Sequence, residues 1–95
     1  MTTPRHGEGT QTEITRATRI AQAIADHYNE SIADFFVAGH KHEELSKGSV
    51  SVAWEGYVYS WTIEWPETET AQKLAHEMGV WFEPVNSCIL AVHPR

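Results

Sequence analysis

Between Val50 and Trp65 the chain alternates, and no other stretch limits the possible folds so sharply. Val50, Val52 and Trp54 alternate with Ser49, Ser51 and Ala53. After Glu55-Gly56 the row resumes as Tyr57, Tyr59, Trp61, Ile63 and Trp65, separated by Val58, Ser60, Thr62 and Glu64. A period of two is the signature of a strand with one buried face. Gly56 accepts the positive φ that a tight turn demands. The spacing therefore predicts a β-hairpin over 50–65 with an aromatic inner face, stopped by Pro66, which has no N–H for a ladder.

On either side the period changes to that of a helix. Ile14, Ala17, Ala21, Ile24, Ala25 and Tyr28 form one stripe, with Arg16, Arg19, Gln22 and Asp26 mostly opposite. This predicts a helix over 12–28, capped by Thr10 or Thr12, with Glu13 favourable in its first turn. Two continuations are open. Ile32, Phe35 and Phe36 extend the stripe to Val37, or Asn29 ends the helix and Ser31 caps a second one. Gly39 is the expected stop in both cases. After Pro66, the residues Ala71, Leu74, Ala75 and Met78 predict a second helix over 67–78, closed by Gly79. The apolar runs Val80–Phe82 and Cys88–Val92 flank Pro84, Asn86 and Ser87, and predict strands at 80–83 and 88–93. The sum is an α+β domain. It has two layers: a mainly antiparallel sheet of three or four strands with two or three helices on one face.

Length confines this to one domain. The 95 residues divide into an N-terminal arm, 1–11, expected to be flexible, and a folded body, 12–95. So short a chain has a marginal core, and the lone Cys88 excludes an internal disulfide. A single thiol in an apolar run suits a reducing compartment. The N-terminus lacks the apolar segment of a secretory signal, and no apolar run is long enough to cross a membrane. A cytoplasmic location and no membrane partner are the expectations. Charge is uneven. Residues 1–25 hold three arginines against two glutamates, net +1, whereas residues 26–94 hold eleven acidic residues against three lysines, net −8. An acidic body repels phosphate backbones, so a nucleic-acid partner is not expected and a basic protein partner is.

Three constellations bear on chemistry. The aromatic row is a core wall wherever it is covered, and an interface wherever it is exposed. The candidate binding residues are Tyr57, Tyr59 and Trp61, with Trp54 and Trp81 extending the patch. Tyr57 and Tyr59, nearest the turn, are the residues most expected at the surface. His40 and His42, followed by Glu43 and Glu44, could share a metal in an extended segment, but lack third and fourth ligands at a recognised spacing. No metal or cofactor is expected. Cys88 with His76 or His93 has the composition of a nucleophile and base, but Cys-Ile-Leu-Ala-Val reads as a buried strand, where thiols are inert. No catalytic residue is assigned. The residues point to a small acidic protein that binds a protein partner as adaptor or inhibitor. The rival readings are a small-molecule or metal-binding domain and a small enzyme completing its site across a dimer. A homodimer is expected if the first helix runs on to Phe35 and Phe36, because that stripe outruns the core of one small domain.

Overall fold

The computed structural model describes residues 3–95. The order is β1 (Arg5–His6), α1 (Gln11–Tyr28), a 3₁₀ turn (Ile32–Asp34), β2 (Phe36–Gly39), β3 (Val50–Ala53), α2 (Trp61–Glu64), a second 3₁₀ turn (Trp65–Glu67), α3 (Glu69–Met78), β4 (Val80–Pro84) and β5 (Ile89–Pro94). Five strands form one sheet in the order β1-β2-β3-β5-β4. Only the β1–β2 pair is parallel. The expected α+β class stands, with helices packed against a mostly antiparallel sheet. No helix among the described residues is long and apolar enough to cross a membrane.

Helix α1 begins at a reciprocal cap. The Thr10 hydroxyl accepts from Glu13 N at 3.1 Å, and Glu13 Oε1 accepts from Thr10 N at 2.9 Å. The helix ends at Asn29, which takes the left-handed conformation at φ 56°. Its buried residues are Ala17, Ile20, Ala21, Ile24 and Ala25, and the three alanines let its backbone approach the sheet closely. Helix α3 is built the same way. Thr68 caps its start and Gly79 at φ 66° closes it. Facing these helices, Val37, Val50, Val52, Val80, Leu90 and Val92 form the sheet side of the core, with Phe82 packed against it.

The sheet has five strands rather than the three or four expected, and two further expectations need correction. The hairpin over 50–65 does not form. Residues 50–53 are a strand, but its neighbours are β2 and β5, and the row from Tyr57 onward is a loop followed by α2. Trp61 and Trp65 lie two apart in a strand row but also four apart, so they share a helix face as readily. Both are fully buried, whereas Ile63, which alternation places beside them, is 65% exposed. Thr62, placed outward by alternation, is buried, and its hydroxyl donates to Asn86 O at 2.9 Å. The second correction concerns 35–39. The chain breaks at Asn29 and Ser31 caps the 3₁₀ turn, but the segment up to Gly39 is strand β2. Val37, Ala38 and Gly39 are all buried, so no alternation marks this strand. Phe35 is fully buried beneath α1's end. The surplus stripe that suggested a homodimer is therefore absent.

The segment expected as an arm adds the edge strand. Arg5 N donates to Phe35 O, Gly7 N to Val37 O, and Glu8 O accepts from Gly39 N. Residues 1 and 2 of that expected arm lie outside the described residues. At the opposite edge, β4 is blunted. The pairs Gly79–Arg95 and Val85–Ile89 set the ladder, so Val80, Phe82 and Pro84 turn their backbone groups outward. Pro84 has no N–H to offer, and the Arg95 Nε–H donates to Val80 O at 2.9 Å.

One partly buried carboxylate joins helix to sheet. Glu13 Oε2 accepts from His40 N at 3.1 Å and from His40 Nδ1 at 2.7 Å. The His40 side chain, then the N–H groups of Thr10 and His40, hold the Glu13 carboxyl down at about 2 from its ordinary 4.5. A depressed carboxylate contributes stability that is present above its unfolded value and is lost as pH falls through the folded one. Wild type should thus lose stability progressively between about pH 4.5 and about pH 2, and Glu13→Gln should remove much of that slope. Glu13→Gln should cost about 1–2 kcal/mol at neutral pH, because solvent screens a charge-assisted pair that is only partly buried. Urea unfolding of both proteins across this range checks it. Parallel curves would contradict the assignment.

Candidate functional site

The antiparallel register gathers several chain segments at one end of the sheet. Arg5 pairs with Phe36, Phe36 with Ala53, and Ala53 with Ile89, giving a single cross-strand row. These side chains share the face opposite the core residues Val37 and Val52. The row floors an open cleft of about 650 Å³. Its walls are Glu30, Ala33 and Asp34 from the turn after α1, and Trp54, Glu55, Gly56, Tyr57 and Cys88 from the ends of β3 and β5.

Trp54 gives this end its shape. Its ring stacks on Phe35 at 5.1 Å and 16°, and meets Tyr28 at 5.3 Å, Trp61 at 5.8 Å and the edge of Tyr57 at 6.0 Å. Its carbonyl accepts from Trp61 Nε1 at 3.0 Å, and its N–H donates to Cys88 O at 2.9 Å. The loop then folds back over it. A Cβ placed on Gly56 would overlap the Trp54 six-membered ring, so only glycine fits there. Tyr57 OH donates to Tyr28 O at 3.2 Å and closes the loop onto the end of α1. Burial, then the nearby Glu64 carboxylate and Tyr57, raise the Tyr28 phenol above its ordinary value.

What remains at the surface is aromatic and acidic. Tyr57 is 68% and Tyr59 85% exposed. Ile63 is exposed on α2, and Val85 on the turn that Thr62 ties to that helix. Among the described residues, the side chains of Glu30, Asp34 and Glu55 accept no hydrogen bond and form no ion pair. Three acidic residues and one basic residue, Arg5, thus line the cleft.

The five aromatic residues expected to bind do not form one patch. Tyr57 and Tyr59 are presented to solvent, whereas Trp54 and Trp61 are core. Trp81 lies apart, on β4, 4.5 Å from the His93 ring and in a second groove with Pro66, Gln72, His76 and Arg95. The sequence reading missed Glu30, Asp34, Glu55, Arg5 and Phe36. Glu30 and Asp34 carried a signal only in hindsight of β2, which they shortly precede; without that strand they read as a solvated acidic surface.

Other constellations are also placed. His40 is engaged by Glu13, and His42 packs on Phe36 at 5.2 Å. Among the described residues, no three His, Cys, Asp or Glu side chains converge as a metal site. Cys88 lines the cleft without a histidine beside it. A serine, a histidine and a carboxylate do line up elsewhere. Glu83 Oε1 accepts from His93 Nε2 at 2.8 Å, and His93 Nδ1 lies 2.7 Å from Ser49 Oγ. Ser49 is fully buried, so no substrate reaches its hydroxyl, and the line binds β3, β5 and β4 together. Compared with known proteins, the chain matches no family model, no curated protein and no solved structure.

The Gly56 contact generates a prediction. Gly56→Ala should lower unfolding stability by about 1–3 kcal/mol, because either the ring or the loop must move. It should also increase quenching of Trp54 fluorescence by acrylamide. Unchanged urea midpoint and quenching would show that the loop is not seated on the ring.

Proposed function

We propose that this protein is a non-enzymatic binding protein that docks a basic protein partner on the end formed by residues 54–63 and the cleft beside it. The observation that carries this reading is the pairing of surplus aromatic surface with surplus negative charge. Tyr57, Tyr59 and Ile63 are each at least 65% exposed, and Tyr57 lines a cleft together with three acidic residues and one arginine. Large aromatic side chains supply much of the binding energy at interfaces. Carboxylates around them favour a basic partner and speed its approach. The surface is preformed, since the loop is fixed by Trp54 and Tyr28 before any partner arrives. The free thiol of Cys88 suits a reducing compartment, so the partner is sought among intracellular proteins.

The test is affinity capture with paired variants. Immobilised protein should retain one basic protein at low salt and release it as ionic strength rises to about 0.5 M, where screening is nearly complete. Tyr59→Ser should abolish retention with an unchanged thermal midpoint, because the Tyr59 side chain is largely in solvent. Equal retention by wild type and Tyr59→Ser would overturn the assignment of this surface.

A further inference from the structure

We infer that the cleft seats an arginine side chain of the basic partner, a step that rests on the proposed function above. The cleft joins an apolar floor and a flat aromatic wall to unpaired carboxylates. Phe36, Ala53 and Ile89 form the floor, Tyr57 stands at the wall with most of its ring in solvent, and Glu30, Asp34 and Glu55 surround them. A guanidinium is planar and weakly hydrated. It can stack on a ring while its forked N–H groups reach a carboxylate. An ammonium is compact and strongly hydrated, and gains less from such a wall.

The chain's own Arg5 sets the charge balance of the cleft. Strand β1 sets Arg5 in register with Phe36, so its side chain lines this cleft. Among the described residues Arg5 forms no ion pair with Glu30, Asp34 or Glu55. The cleft thus holds three acidic residues against one arginine, a net charge of −2 that favours a second guanidinium. Arg5 is fixed there at its backbone by the Arg5 N–Phe35 O hydrogen bond, and its positive charge opposes entry of another cation.

The experiment uses the full chain and two acetylated, amidated peptides, Gly-Arg-Gly-Arg-Gly and its lysine counterpart. Affinities are read by isothermal calorimetry, and the site by chemical-shift changes at Tyr57 and Glu55. The arginine peptide should bind about three- to fivefold more tightly than the lysine peptide, as a cation stacked on an exposed ring implies. Glu55→Gln and Asp34→Asn should each weaken the arginine peptide and narrow the preference, and Arg5→Ala should tighten it. Glu55 lies in a loop and Asp34 in a 3₁₀ turn, so if one variant unfolds the other still reads the site. Equal binding of the two peptides, an undiminished preference in a folded variant, or no binding of either peptide would overturn the arginine site. In each case Tyr59-dependent retention of the basic partner would show that the docking surface itself stands, and its loss would show that both fail.

Discussion

The indole of Trp54 is the contact on which this end of the molecule depends. It stands where β3 leaves the sheet, and touches the end of α1 through Tyr28, the entry to β2 through Phe35, and α2 through Trp61. A buried ring of this size contributes a few kcal/mol by removing apolar surface from water, and its aromatic neighbours add to that. Remove it, and three elements lose their common neighbour together. The loop over it keeps its shape because Gly56 has no side chain and Tyr57 reaches Tyr28 O. Tyr57 and Tyr59 are therefore exposed on a fixed support.

The rest of the molecule secures the opposite boundaries of the sheet. Glu13 ties the start of α1 to the exit of β2 through His40. Ser49, His93 and Glu83 link three strands. Arg95 and Pro84 blunt the β4 edge against pairing with another chain. By contrast, the Arg19–Glu77 ion pair between α1 and α3 is 57% exposed on both sides and adds little. Polar side chains close these boundaries, while Tyr57, Tyr59 and Ile63 are exposed along 57–63 and Trp81 is exposed on β4.

Much of the fold was legible because its signals are local. Caps at Thr10 and Thr68, left-handed stops at Asn29 and Gly79, and the Asn86 turn are each written within a few residues. The misreadings have separate physical causes. Trp61 and Trp65 satisfy strand and helix periods alike, and what decides between them is non-local: β3 already has β2 and β5 as neighbours. Strand β2 hid for the reverse reason, being four residues long and buried on both faces. The cleft was illegible because its floor is a row across four strands, and register does not show in a sequence whose strands are misplaced. The exposure of Tyr57 and Tyr59 was foreseen from their place near a turn. Its actual cause is a loop folded on Trp54.

The most direct test of docking at this end is amide hydrogen exchange on the free protein and on its complex with the captured basic partner. Docking there predicts slowed exchange across residues 30–36 and 54–63, with α3 and β4 unchanged. Protection confined to β4 and the groove around Trp81, with 54–63 exchanging as in the free protein, would contradict it.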